Sequence, residues 1–209
     1  MLMKKDNLIS KPTSYQIGII FCLWRYNKKH NRITFTSSNR YFLEQIENLF
    51  ISSIEMYKSL SNVTRYKINI YPSKELLNVF NIDSNNIPEK VTNIPENIDL
   101  KEFFKAYLEL NANFQIYKRN RKGYSESKHR LRIIGRESLL NSINSYLEDQ
   151  KIAQKKTMTH VASKAENTYA ISYSKKDEVL GIYNFFYTEP CNEEYWNKLK
   201  QNIENVYKE

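Results

Sequence analysis

The chain has 209 residues, with 32 Lys or Arg against 23 Asp or Glu, a formal net charge of +9 and a pI near 9.3. Apolar residues make up 41%, with 16 Tyr and 10 Phe, which is enough to bury a core and excludes a disordered basic tail. The longest uninterrupted apolar stretch, Ile17 to Trp24, has 8 residues, far short of the ~20 that a membrane-crossing helix needs. Two cysteines, Cys22 and Cys191, exclude a disulfide framework and a four-cysteine zinc site. With only 4 Gly, neither G-x-x-x-x-G-K-[ST] nor G-x-G-x-x-G occurs. His30, His129 and His160 stand far apart, the first two beside Lys or Arg, so solvated or phosphate-facing roles fit them better than metal binding. No cofactor, no metal and no membrane are expected. The polar start Met1-Leu-Met-Lys-Lys-Asp6 lacks an h-region, which points to the cytoplasm.

In chain order, residues 1–13 read as a flexible leader, and Ser14 is the expected cap of an apolar helix running to Trp24. A turn at Asn27–Asn31 leads into an alternating strand, Arg32–Ser37, and Ser38 is placed to cap a helix with the stripe Phe42, Leu43, Ile46, Leu49, Phe50. A strand at Arg65–Tyr71 and a short helix at Lys74–Phe80 complete a first half, 14–80. Residues 81–99 carry Pro88, Pro95, Asp83, Glu89, Glu96 and Asp99 with Lys90 as the only base, and read as an acidic linker. A second half, 100–187, opens on the helix Leu100–Leu110. Strands follow at Asn113–Arg119 and Lys128–Gly135, then the helix Glu137–Leu147. Strands at Lys156–Ala162 and Thr168–Ser174 precede the helix Lys176–Tyr187. Residues 188–209 hold a last, mixed-charge helix from Glu193 to Tyr207.

A similar succession of helices and strands therefore occurs in both halves. Gly18-Ile-Ile-Phe-Cys-Leu-Trp24 aligns with Ala106-Tyr-Leu-Glu-Leu-Asn-Ala112, 88 residues on. Ile68-Asn-Ile-Tyr-Pro-Ser-Lys-Glu-Leu-Leu77 aligns with Ile171-Ser-Tyr-Ser-Lys-Lys-Asp-Glu-Val-Leu180, 103 residues on. The growing offset assigns longer strands or loops to the second half.

With these repeats the chain resembles the LAGLIDADG homing endonucleases. Phe104-Lys-Ala-Tyr-Leu-Glu-Leu-Asn-Ala-Asn-Phe114 is similar to the helix that opens each half of that family. Leu131–Leu140 and Thr168–Leu180 are similar to its strand-then-helix steps, and Tyr15–Phe21 and Asn31–Ser37 carry the likeness in the first half. The resemblance covers about 14–187. It implies an α+β fold of two pseudo-symmetric αββαββα repeats forming a β-saddle over a central two-helix interface, with the small residues Gly18 and Ala106 letting the helices approach. It also implies one metal-binding carboxylate at the end of each helix. Those positions fall on Leu23 and Asn111 here, flanked by Trp24 and Ala112 instead of glycine. Leu offers no oxygen and Asn only a neutral carbonyl. Glu109 lies two residues before Asn111, about 200° around a helix from it. The expectation is thus a catalytically degenerate scaffold, not an enzyme, comparable to WhiA-type regulators of transcription.

The resemblance implies strands laid along the DNA major groove, so basic residues at period 2 are the expected footprint. Lys118–Arg136 holds eight basic residues (Lys118, Arg119, Arg121, Lys122, Lys128, Arg130, Arg132, Arg136) against Glu126, +7 in 19 residues. The first half offers Arg25, Lys28, Lys29 and Arg32 around its turn and Arg65 and Lys67 on its later strand. Lys155, Lys156 and Lys164 mark the final hairpin. Tyr26, Tyr117, Tyr124 and Tyr173 offer phosphate hydrogen bonds or stacking. Acids collect in the linker and last helix, a segregation that favours a polyanion. The expected protein is a monomer with internal pseudo-two-fold symmetry that binds double-stranded DNA sequence-specifically. It is expected with the nucleoid of a low-GC bacterium, in that bacterium's mobile element, or in an organelle. Two alternatives stay open: an RNA-binding, maturase-type splicing factor, and an active homing endonuclease with displaced metal ligands.

Overall fold

The first helix starts one residue earlier than its sequence suggests. Thr13 is the N-cap, its hydroxyl accepting from Gln16 N while the Gln16 side chain accepts from Thr13 N, a reciprocal capping box. Ser14 Oγ instead accepts from Asp99 N at 2.9 Å. The computed structural model describes residues 8–121, 124–162 and 167–207, with 118–121 and 124–127 described by backbone alone. Helix α1 (Ser14–Leu23) runs directly into strand β1 (Trp24–Asn27). A 3-10 turn, Lys28–His30, ends on Asn31 in the left-handed region (φ 44°), which Asn tolerates well, and β2 (Arg32–Ser37) returns. Then come α2 (Arg40–Glu47), β3 (Glu55–Lys58), β4 (Thr64–Ile70) and α3 (Lys74–Val79). Asn39, not Ser38, caps α2, accepting from Tyr41 N.

The second half repeats the order with α4 (Leu100–Asn111), β5 (Ala112–Arg121), β6 (Tyr124–Gly135), α5 (Glu137–Asp149), β7 (Thr159–His160), β8 (Tyr169–Tyr173) and α6 (Lys176–Phe186). Helix α7 (Glu193–Val206) follows. The strands form two four-stranded antiparallel sheets of matching order, β1-β2-β4-β3 and β5-β6-β8-β7. The α+β class and the paired αββαββα plan stand. The sequence reading missed β1 and β3, two strands of four residues each.

Internal contacts divide the chain into a unit ending at Ala106 and a unit beginning at Tyr107, so the boundary falls inside α4. In the first unit, Ile33 and Phe35 of β2 and Ile68 and Ile70 of β4 point one way into a core closed by α1 and by Phe42, Leu43 and Ile46 of α2. Trp24 is fully buried, edge-on to Phe35 and Phe80 at 6.4 and 5.7 Å. Segment 81–99 is bonded to this unit: Tyr26 N donates to Glu89 O at 2.9 Å and Trp24 Nε1 to Pro88 O at 3.2 Å. Segment 81–99 therefore satisfies a backbone N–H on the outer edge of β1 and the indole N–H of Trp24. In the second unit the core gathers Leu131, Ile133, Ile171 and Tyr173 from the sheet, Leu140, Ile143 and Leu147 from α5, and Val179, Ile182 and Phe186 from α6.

Candidate nucleic-acid interface

Alternation gives each sheet one apolar face and one polar face. On β2, half-buried Arg32, Thr34 and Thr36 interleave with buried Ile33, Phe35 and Ser37. Strand pairing sets the polar side chains in rows. Arg25, Thr34 and Asn69 form one row, with Thr34 Oγ1 donating to Asn69 Oδ1 at 2.9 Å. Thr36, Lys67 and Glu55 form another, with Lys67 Nζ 2.9 Å from Glu55 Oε2 and 5.6 Å from the Tyr57 ring centre. The ammonium partner draws the Glu55 carboxyl below the ordinary carboxylate range, chiefly through that hydrogen bond. Arg32 lies over the Tyr71 ring, 5.5 Å from its centre. Arg65 is exposed opposite Tyr57, and Lys28 and Lys29 are exposed on the 3-10 turn.

In the second sheet, Lys128, Arg130 and Arg132 are half-buried on one face of β6, opposite Tyr117, Gln115 and Asn113 of β5. Arg130 Nε donates to Gln115 Oε1 at 3.0 Å, and its guanidinium lies 4.8 Å from the Tyr117 ring centre. Arg132 sits between Asn113 and Ser172, and its buried Nε has no partner among the described residues. On the opposite face His129 stacks on Phe114 at 6.1 Å and meets Tyr207 edge-on at 4.5 Å, so this histidine faces the C-terminal helix. The side chains of Lys118, Arg119, Arg121 and Tyr124, and the whole of Lys122 and Lys164, lie outside the described residues.

Two expected contact residues are engaged elsewhere. Lys156 Nζ pairs with Glu178 Oε1 at 2.6 Å, and its backbone N and O both bond the buried Asn144 side chain. Tyr173 is fully buried and donates to Asn144 Oδ1 at 2.9 Å, with burial, then Glu178, pushing its phenol well above the ordinary range. These bonds tie α5 and α6 together. They span 12 to 29 residues, so no local pattern announces them.

The helix ends were the expected metal site of the resembled family. Leu23 and Asn111 are the last residues of α1 and α4, and each is followed by the first strand of its half. Leu23 is buried, and Asn111 Nδ2 donates to Tyr107 O at 3.3 Å. Glu109 is buried, with Oε1 accepting from Asn192 N at 3.0 Å and from Trp196 Nε1 at 2.5 Å. Among the described residues no three His, Cys, Asp or Glu gather as metal ligands. Residues 23 and 111 therefore do not fit a pair of cation-binding carboxylates.

The Lys67–Glu55 pair gives a direct prediction. Glu55→Gln removes a negative charge from a basic face and frees the ammonium for phosphate. Duplex affinity in a low-salt titration is expected to rise about three- to tenfold, with the salt slope steeper by about one unit. Unchanged affinity would remove Lys67 from the contact surface.

No helix among the described residues is long and apolar enough to cross a membrane. No protein-family model matches the chain, and no curated protein matches it. Solved structures do. The I-LtrWI LAGLIDADG homing endonuclease bound to target DNA shares 11% identity at TM-score 0.60, covering 94% of this chain and 91% of that one. The LAGLIDADG meganuclease I-CpaMI bound to uncleaved DNA shares 8% at TM-score 0.63, covering 95% and 93%. The I-SmaMI LAGLIDADG homing endonuclease bound to cleaved DNA shares 12% at TM-score 0.60, covering 97% and 92%. The expectation of a non-enzyme is corrected by these neighbours, which are endonucleases along almost their whole length, one of them bound to cleaved DNA. They lend no support to lost cleavage or to regulation of transcription. What they do establish is architecture: this chain has the LAGLIDADG homing-endonuclease fold.

Proposed function

We propose that the chain is a double-stranded-DNA endonuclease of the LAGLIDADG kind, reading its target with the polar faces of its two sheets. The observation that carries this reading is the pair of sheet faces, each with an apolar underside and basic side chains on its polar side (Arg32, Arg65 and Lys67 in one, Lys128, Arg130 and Arg132 in the other), on a fold whose neighbours are bound to DNA. The B-form major groove is about 12 Å wide and admits a two-stranded ribbon, whereas the A-form groove is too narrow for side chains to read. Phosphate contacts from Lys and Arg supply sequence-independent affinity, and base-edge contacts supply preference. Because Leu23 and Asn111 do not fit a cation site, no cleavage step is assigned to them.

The test is selection of bound duplex from a random pool, with Mg²⁺ or Mn²⁺ present and strand cutting read in parallel. A discrete selected duplex, cut at a fixed position, is the expected result. Failure to enrich any duplex sinks the proposal. Structured RNA of equal length that outcompetes the selected duplex at matched salt replaces it with the RNA-binding alternative.

A further inference from the structure

We infer that Arg32 and Arg130 are the guanine-reading residues of their respective halves. This assignment rests on the duplex-DNA reading above. Strand register makes the two positions equivalent. The first residue after each opening helix, Trp24 or Ala112, pairs with Phe35 or Ile133, and the arginine stands three residues before that partner in both sheets. Across the hairpin each arginine faces a side-chain amide, Asn27 or Gln115.

Both guanidinium groups lie on a tyrosine ring, though the rings come from opposite sides of the arginine strand. Tyr71, just beyond β4, underlies Arg32, and Tyr117 on β5 underlies Arg130. The same support thus occurs at matching positions, reached by different side chains; Lys67 also lies over a ring, that of Tyr57, but has no planar fork. Arg130 Nε is taken by Gln115 Oε1, and among the described residues neither terminal nitrogen of the fork has a hydrogen-bond partner. Arg32 Nη2 makes a long contact of 3.4 Å to Tyr71 Oη. A guanidinium held against a ring loses less freedom when it binds, and two parallel N–H groups match O6 and N7 of guanine in the major groove. Lys67, on the same face, is instead occupied by a carboxylate. Lys28 and Lys29, on the exposed turn, are placed for phosphates.

The experiment compares wild type, Arg32→Ala, Arg130→Ala and the lysine variants Arg32→Lys and Arg130→Lys. Each binds the selected duplex and a series carrying every single base-pair change, at two salt concentrations. Far-ultraviolet circular dichroism confirms that each variant is folded. Each alanine variant is expected to lose roughly 10- to 100-fold of discrimination at one G·C pair, a different pair for each arginine. The lysine variants keep the charge and the salt slope but lose the same discrimination, because an ammonium cannot present the fork. Alanine variants that weaken all sequences alike, with a shallower salt slope, overturn the assignment in favour of phosphate contacts. Variants that leave base preference untouched, while wild type still selects a duplex, overturn it alone. A wild type that selects no duplex overturns the duplex reading itself.

Discussion

Replacing Gly18 by valine is expected to destabilise the chain by about 3 kcal/mol, the upper end of typical overpacking costs. For a chain of this size that lowers the thermal midpoint by ~6–12 °C. A Cβ at this position would stand 2.7 Å from Phe103 O and 2.8 Å from Ala106 Cβ. Neither neighbour is the far end of a flexible side chain, so relief requires α1 to move away from the first turns of α4. That movement would also disturb the edge-on pair of Phe21 and Phe103 at 5.2 Å. Gly18→Ala is the milder probe, because about 1 kcal/mol of helix propensity gained offsets part of the crowding. Thermal or urea unfolding measures both. A Gly18→Val midpoint equal to that of wild type would mean that the two helices do not approach here as described.

That close approach was legible in the sequence because it leaves a residue-type signature, a small residue at the same place in each repeat. The growing repeat offset was legible too, and register now locates its cause. Trp24 and Ala112 are 88 apart, Phe35 and Ile133 98 apart, and Ile68 and Ile171 103 apart. The first increase lies in the β5–β6 hairpin, whose strands have 10 and 12 residues where β1 and β2 have 4 and 6. β1 and β3 were not legible, since four residues are too few for alternation to stand out, and Trp24, the first residue of β1, reads as the end of the apolar run of α1.

The partners of the basic residues were also hidden. Whether a lysine is available depends on a distant acid, Glu55 for Lys67 and Glu178 for Lys156, and composition along the chain does not carry pairings over 12 or 22 residues. The same holds for residues 81–99. Their acids and prolines looked like a spacer, but the groups that hold them in place are the backbone carbonyls of Pro88 and Glu89, which every residue type possesses. The expectation of a non-enzyme rests on Leu23 and Asn111 at the helix ends, whereas the endonucleases that correct it are like this chain in architecture.

Glu109→Ala is expected to cost about 3 kcal/mol and to loosen α7. One carboxylate oxygen accepts both the Asn192 backbone N–H at the start of that helix and the Trp196 indole N–H. Hydrogen bonds to a charged group contribute ~1.5–3 kcal/mol, and a buried donor left without its acceptor costs ~1–3 kcal/mol. Trp196 is fully buried, with the Tyr183, Tyr187 and Tyr195 rings within 6.2 Å, so water cannot simply replace the carboxylate. Glu109→Gln retains an acceptor oxygen without the charge and should cost about half as much. Two spectroscopic readouts follow. Tryptophan emission should shift to the red in Glu109→Ala as the indole loses its partner. Burial, then the Glu109 charge, raises the Tyr195 phenol above its ordinary range, so removing the charge should move an alkaline tyrosine titration step to lower pH. The competing role for this acid is that of the displaced cation ligand in the nuclease. Loss of metal-dependent cutting in Glu109→Gln, with unfolding midpoint, emission and titration all unchanged, would establish that role and remove the structural one.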